Sequence, residues 1–79
     1  MNKQKSWTRY KDEELLKQIG TKIREARTAL DMSIENLAHE CEVDYSQINR
    51  MELGKVNFNI SSLNKVAQAL SKNLKDLLP

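Results

Sequence analysis

Hydrophobic residues recur every three or four positions along most of this 79-residue chain, which is the spacing of amphipathic α-helices. The first stripe follows Asp12, whose negative charge favours a helix N-terminus because it complements the helix dipole. That stripe comprises Leu15, Ile19, Ile23, Ala26 and Leu30. No segment carries the signal of a β-strand. The pattern therefore predicts an all-α fold.

Polar capping residues divide the rest of the chain into four shorter predicted helices. Ser33 begins the second helix, with Asn36 at the position of a capping box. The third, fourth and fifth helices begin at Asp44, Asn59 and Asn73. The residues expected to face inward are Ile34, Leu37, Ala38, Cys41, Ile48, Met51, Ile60, Leu63, Val66, Ala67 and Leu70, and the fifth helix carries Leu74, Leu77 and Leu78. We therefore expect five helices.

Three positions within or between these helices predict specific contacts. Gly20 lies inside the first helix, where glycine costs about 1 kcal/mol relative to alanine, so we expect another helix to approach closely there. Gly54 follows the third helix and is placed for a left-handed conformation that ends it. Val43 lies in the turn between the second and third helices, where we expect a buried residue that sets their angle.

Composition excludes several classes of protein. A single cysteine, Cys41, excludes a disulfide framework and any zinc site built on two or more cysteines. The chain has no glycine-rich phosphate loop, no nucleophile with a plausible base and no metal-ligand cluster, so we expect no catalytic residues, no metal and no cofactor. No apolar run approaches a membrane span or a signal-peptide core, which predicts a cytoplasmic protein without membrane association.

Charge is distributed unevenly, although the net charge is only +2. Residues 1–11 carry four basic residues and no acidic one, and we interpret them as a flexible basic arm ahead of a domain over residues 12–79. The basic residues are Lys3, Lys5, Arg9 and Lys11. The arm could follow a DNA backbone or serve as a solubilising tail. Residues 33–54 have a net charge of −4, which opposes DNA binding because phosphate attraction supplies much of the affinity.

A set of short matches, taken in order, resembles the phage-repressor and Cro-like helix-turn-helix domains of the XRE-like family. The matches are Ile23-Arg24-Glu25-Ala26-Arg27, Ser33, Leu37-Ala38, Val43, Ile48, Arg50-Met51-Glu52, Gly54-Lys55, Leu63, Ala67, Leu70 and Leu77. The resemblance implies a five-helix fold whose second and third helices read DNA, with the third helix in the major groove.

The resemblance also implies which residues contact DNA bases. They are Asp44, Tyr45, Ser46, Gln47, Asn49 and Arg50. Helical spacing agrees, because inward-facing Ile48 and Met51 place four of these residues on the outer side of the helix. These four are Tyr45, Ser46, Asn49 and Arg50. Arg50 suits guanine and Asn49 suits adenine. The alternative is that these residues form an ordinary solvated face.

Phosphate contacts are expected from Ser33, Lys55 and Asn57, and the family's buried ion pair would correspond to Arg27 and Glu52. Solvation alone would also explain Lys55, and capping alone would explain Ser33. Two residues depart from the family pattern. Ile34 stands where a phosphate-binding glutamine is usual, and Glu42 stands where the turn usually has glycine.

The sequence therefore predicts a sequence-specific DNA-binding transcriptional regulator, acting as a repressor-type homodimer on a two-fold site. Two recognition helices would lie about 34 Å apart, one turn of DNA. Leu74, Leu77 and Leu78 are the predicted dimer interface, unless they only close the core of one chain. The alternative is an antitoxin or accessory protein-interaction module on the same fold, with a protein partner such as a toxin.

Overall fold

The computed structural model describes residues 10–79 as four α-helices followed by a short 3-10 helix. The elements are α1 (Glu13–Ala29), α2 (Ile34–Cys41), α3 (Tyr45–Glu52), α4 (Ile60–Ala69) and the 3-10 helix (Leu74–Leu77). The described residues contain no strand, which confirms the all-α prediction. The predicted fifth α-helix is instead a single 3-10 turn. Leu78 is already extended, because the residue before a proline is disfavoured in the α conformation.

The N-termini of α1, α2 and α4 lie where the sequence predicted them. Asp12, Ser33 and Asn59 each accept a hydrogen bond from the backbone amide three residues ahead, at 2.8–3.0 Å. These bonds satisfy amides that have no partner within the helix. The positions of α1, α2 and α4 along the chain are therefore determined by local sequence.

Helix α1 packs against α3 and the 3-10 helix, and α2 packs against α3 and α4. One core lies between these elements. It comprises Ile19, Ile23, Ala26, Leu37, Ala38, Cys41, Ile48, Met51, Leu63, Val66, Ala67, Leu70 and Leu77. Helix α3 is therefore supported from both sides.

Four residues predicted to face inward are exposed. Leu15 is replaced in the buried stripe of α1 by its neighbour Leu16, and Leu30 lies beyond the last turn of α1 as its C-cap. Ile60 is 61% exposed because it opens α4 at the edge of the core. Val43 is 39% exposed, so the turn does not depend on its burial.

The three leucines predicted to form a dimer interface have different surroundings. Leu77 is 1% exposed and fills the core of its own chain, so it does not contribute to a surface. Leu74 is half-buried against the same core. Leu78 is 38% exposed.

Gly20 lies where α1 meets the last turn of α3, which confirms the predicted close approach. A Cβ atom at this position would lie 2.5 Å from the carbonyl oxygen of Met51 and still closer to that of Glu52. Both atoms belong to the backbone and cannot rotate away. The absence of a side chain at Gly20 therefore determines how near α3 lies to α1.

Candidate nucleic-acid interface

Helix α3 presents a polar face at the protein surface. Ile48 and Met51 are buried in the core on its opposite side. Of the residues predicted to contact bases, Asp44, Tyr45, Ser46 and Arg50 are exposed, and Gln47 and Asn49 are half-buried. Together they provide guanidinium, amide, hydroxyl and carboxylate groups, which are the groups that recognise base edges in a major groove.

Asp44 stands at the N-cap position of α3, as predicted, but its side chain makes no capping hydrogen bond. The carboxylate is exposed and is not engaged by the helix that it precedes. It therefore remains a candidate acceptor for the amino group of cytosine.

The turn between α2 and α3 contains a left-handed residue, although that residue is not glycine. Glu42 has φ 57° and ψ 42°. The amides of Glu42 and Val43 donate to the carbonyl oxygens of His39 and Ala38, at 3.1 and 3.0 Å. These bonds hold a conformation that costs a non-glycine residue about 1–2 kcal/mol. The departure at Glu42 therefore does not prevent the turn from forming.

A buried ion pair fixes the end of α3 to α1. The Nε atom of Arg27 lies 2.6 Å from Oε2 of Glu52, and Nη2 lies 3.0 Å from Oε1. The third guanidinium nitrogen, Nη1, donates to the carbonyl oxygen of Met32 at 2.8 Å. Hydrogen bonding to Glu52 raises the pKa of Arg27, despite the opposing effect of burial. The structure thus places in contact the two residues that the family resemblance paired.

The N-terminus of α2 is closed by its own capping box. The Ser33 hydroxyl accepts from the Asn36 amide at 3.0 Å and donates to Oδ1 of Asn36 at 2.8 Å. A phosphate at this point would therefore be bound by backbone amides rather than by the hydroxyl. Ile34 packs against the core, so it is not an exposed substitute for the family's glutamine.

The loop after α3 is hydrogen-bonded to the segment that precedes α1. The Nδ2 atom of Asn57 donates to the carbonyl oxygen of Tyr10 at 2.9 Å, and Nζ of Lys11 donates to the carbonyl oxygen of Lys55 at 3.0 Å. Phe58 is half-buried against the core. Residues 10 and 11, predicted to belong to a flexible arm, are therefore bound to the domain, whereas residues 1–9 lie outside the described part of the chain.

One acidic residue near the turn has a basic partner on another helix. Nζ of Lys65 on α4 lies 3.5 Å from Oε1 of Glu42. Both side chains are largely exposed, so the pair contributes little to stability. It does offset part of the negative charge that the motif would present to DNA.

Metal binding, membrane insertion and a reactive cysteine have little support among residues 10–79. No group of three or more candidate ligands in this part could hold a metal ion, and none of its helices is long and apolar enough to cross a membrane. Cys41 is 1% exposed, and this burial raises the pKa of its thiol. The cysteine is therefore a small core residue rather than a reactive one.

The chain belongs to the helix-turn-helix family, whose model matches residues 23–77. This match confirms the resemblance drawn from the sequence, and the matched region contains all of α2, α3 and α4. The protein is a DNA-binding transcriptional regulator of this class.

Two controller proteins are among its relatives. The control protein C.BamHI of Bacillus amyloliquefaciens is 37% identical over 60 residues, which cover 75% of this chain and 74% of C.BamHI. The crystal structure of the restriction-modification controller protein C.AhdI from Aeromonas hydrophila has a TM-score of 0.77 and 33% identity, covering 80% of this chain and 96% of C.AhdI. The crystal structure of NHTF, a hypothetical transcription factor from Neisseria, has a TM-score of 0.80 and 29% identity, and the match covers 86% of this chain and 79% of NHTF.

Sequence patterns did not predict several contacts made by residues that flank α3. Tyr10 contacts Asn57 and Lys11 contacts Lys55, which lie 47 and 44 positions further along the chain. No periodic pattern connects residues so far apart. No sequence pattern indicates that Lys65 faces Glu42 either. These contacts depend on how the start of α1 meets the loop after α3, and on how the end of α2 meets α4.

Proposed function

We propose that this protein is a controller-type transcriptional regulator that binds a two-fold DNA site as a homodimer, with α3 in the major groove. The observation that carries the proposal is the polar outer face of α3, held in place by two buried residues and an ion pair. C.AhdI is a restriction-modification controller protein and C.BamHI is a control protein, which supports control of restriction and modification as the role of this chain. Such a regulator acts on double-stranded DNA in the cytoplasm and needs no catalytic site.

Base recognition is assigned to Arg50 and Asn49, supported by the side chains around them. Arg50 is exposed and can form two hydrogen bonds with guanine O6 and N7. Asn49 can bind adenine in the same bidentate manner. Lys55 and Asn57 lie in the loop after α3 and are proposed to contact phosphates, together with the α2 amides behind Ser33.

The experiment for this proposal is selection of bound sequences from a random pool of DNA duplexes. We expect the parent protein to enrich a two-fold sequence with half-sites one helical turn apart. Failure to enrich any sequence, with a folded protein and at low salt, would contradict the proposal.

Arg50→Ala should weaken discrimination at one base pair of each half-site by about 1–3 kcal/mol, because the two hydrogen bonds to guanine can no longer form. Competition between the selected duplex and single-base variants measures this change directly. Lys72→Ala is the matched control, because it removes one positive charge from an exposed position after α4. An unchanged base preference in the Arg50 variant would remove Arg50 from the set of base contacts.

The homodimer is proposed to form at an apolar groove rather than through all three C-terminal leucines. Leu78 lines this groove together with Tyr10, Leu15 and Ile60, and all four side chains are more than a third exposed. The groove has a volume of about 280 Å³ and includes no α3 residue, so a second copy seated there would leave the polar face of α3 accessible. Asn57 also lines the groove, so in the dimer Lys55 would be the main phosphate contact from the loop after α3. Leu74 packs against the core and does not line this groove.

Ile60→Glu should convert the dimer to a monomer and weaken binding to the selected two-fold duplex. A charge would replace the most exposed aliphatic side chain of the groove, while a glutamate in the first turn of α4 remains compatible with the helix dipole. Light scattering gives the mass, and Gln68→Glu, exposed on the same helix, controls for the added charge. An unchanged mass of the Ile60 variant would place the interface elsewhere.

The alternative, an antitoxin or accessory module with a toxin-like partner, has less support. The two departures from the family pattern would favour it, but both have structural explanations, since Ile34 packs inward and Glu42 pairs with Lys65. The negative charge of residues 33–54 still favours it. Titration against random duplex at two salt concentrations separates the two functions, because a regulator binds at low salt and weakens as salt rises.

A further inference from the structure

The loop after α3 lies against the start of α1, and this contact brings two basic residues together. Gly54, which follows the C-cap of α3, has φ 69°, and a Cβ atom there would lie 2.8 Å from the backbone nitrogen of Lys17 on α1. One residue later, the carbonyl oxygen of Lys55 accepts a hydrogen bond from Nζ of Lys11 at 3.0 Å. The ammonium group of Lys11 is therefore held beside Lys55, although 44 positions separate the two residues.

The hydrogen bond between Lys11 and Lys55 leaves both positive charges available to a ligand. It uses the backbone oxygen of Lys55 and not its ammonium group, and it takes one of the three ammonium donors of Lys11. Both residues are exposed, and neither is in an ion pair found among residues 10–79. Two ammonium groups held at one loop attract an anionic ligand more strongly than either group does alone.

Neither the acidic neighbours of Lys11 nor the proposed dimer would block these two lysines. The carboxylate of Asp12 is engaged as the N-cap of α1. Glu13 and Glu14 line a shallow depression on α1 together with Lys17, so a positive charge on the same helix offsets them. Lys11 and Lys55 also lie outside the apolar groove of the proposed dimer, so a second copy seated there leaves them accessible.

We propose that Lys11 is a phosphate-binding residue, which together with Lys55 contacts two neighbouring phosphates of the DNA strand beside the C-terminal end of α3. The inference rests on the proposed DNA-binding function and extends it, because Lys11 precedes α1 and lies outside residues 23–77, which the family model matches. The hydrogen bond to Lys55 holds the ammonium group of Lys11 in place before DNA binds. Less side-chain freedom is then lost on binding than for a lysine that is free in solvent.

The test compares two variants, Lys11→Gln and Lys72→Gln, that each remove one positive charge from an exposed position. Lys72 lies after α4 and serves as the matched control. Binding to a random-sequence duplex is measured over a range of salt concentrations. The slope of log affinity against log salt should fall in magnitude by about 0.9 for each phosphate that the protein no longer neutralises. We expect this fall for Lys11→Gln and a much smaller change for Lys72→Gln.

Further variants separate a phosphate contact by Lys11 from mere support of the loop that carries Lys55. If each lysine contacts its own phosphate, Lys11→Gln/Lys55→Gln should lower the magnitude of the slope by about 1.8. If Lys11 only supports the loop, adding Lys11→Gln to Lys55→Gln will change the slope no further, and the inference is wrong. Lys11→Arg should retain the slope of the parent, because a guanidinium group keeps the charge and can still donate to the carbonyl oxygen of Lys55. Circular dichroism verifies that every variant is folded.

The outcomes distinguish this inference from the proposed function. If the parent binds DNA and Lys11→Gln has the same salt slope as Lys72→Gln, Lys11 contacts no phosphate, and the inference is wrong while the proposed function stands. A slope lowered as much by Lys11→Arg as by Lys11→Gln would also refute it, because the charge of Lys11 would then not be what matters. If the parent binds no duplex even at low salt, the proposed function fails and the inference fails with it.

Discussion

Arg27→Ala is expected to destabilise the domain by about 3–5 kcal/mol, because it leaves the buried Glu52 carboxylate without its partner. Glu52 is 9% exposed and both of its oxygens are bound by the guanidinium group. The carbonyl oxygen of Met32 would also lose its donor. Small domains have a total stability of about 5–15 kcal/mol, so this loss is a large fraction of it.

Thermal unfolding followed by circular dichroism measures this effect, with an expected decrease in Tm of more than about 10 °C. Arg24→Ala is the matched control, because it removes the same side chain from an exposed position on the same helix. A variant of Arg27 that melts within about two degrees of the parent would contradict the role assigned to the ion pair.

A second variant separates the buried charge from the loss of packing. Arg27→Met/Glu52→Leu removes both charges and retains apolar volume, and such replacements are often neutral or stabilising. We expect this double variant to be within about 1 kcal/mol of the parent. If it were as unstable as Arg27→Ala, the stranded carboxylate would not be the cause of the instability.

Gly20→Ala is expected to destabilise the domain by about 2 kcal/mol, although alanine is the better helix former by about 1 kcal/mol. The added methyl group would collide with the carbonyl oxygens of Met51 and Glu52, which belong to the backbone of α3. Helix α3 would have to move away from α1. The same movement would pull Glu52 from Arg27, since Gly20 and Arg27 lie two turns apart on one face of α1.

Urea unfolding measures the stability of this variant, and binding to the selected duplex measures the displacement of α3. Gln18→Gly is the control for helix propensity, because it introduces a glycine at an exposed position of α1 and should cost about 1 kcal/mol. If Gly20→Ala instead stabilised the domain by about 1 kcal/mol, the gain expected from helix propensity alone, the close approach of α3 to α1 at Gly20 would not be required.

Local sequence was sufficient to predict where the helices lie and which face of α3 is polar. Ser33 and Asn59 cap α2 and α4 because a side-chain oxygen reaches an amide only three residues away. The polar face of α3 follows from Ile48 and Met51, three residues apart and both buried. Sequence patterns predict such features well because the interacting groups are close along the chain.

Helical spacing was less informative about which neighbouring residue is buried. Leu15 and Leu16 are both spaced to continue the stripe of Ile19, Ile23 and Ala26, and only the packing of α1 on α3 and the 3-10 helix selects Leu16. Leu77 fits a surface and a core equally well by sequence, yet it is buried in its own chain. Adjacent residues on a helix differ by only about 100° around its axis, so neighbouring elements decide which one faces inward.

The sequence by itself determined the all-α class, the family, the polar face of α3 and the glycine at the helix crossing. The ion pair between Arg27 and Glu52 could be predicted only from the family resemblance, because the two residues are 25 positions apart. Only the tertiary structure decided that Tyr10 and Lys11 join the loop after α3. The physical reason is that helical periodicity relates residues a few positions apart, whereas the hydrogen bonds of Tyr10 and Lys11 depend on where two distant chain segments meet.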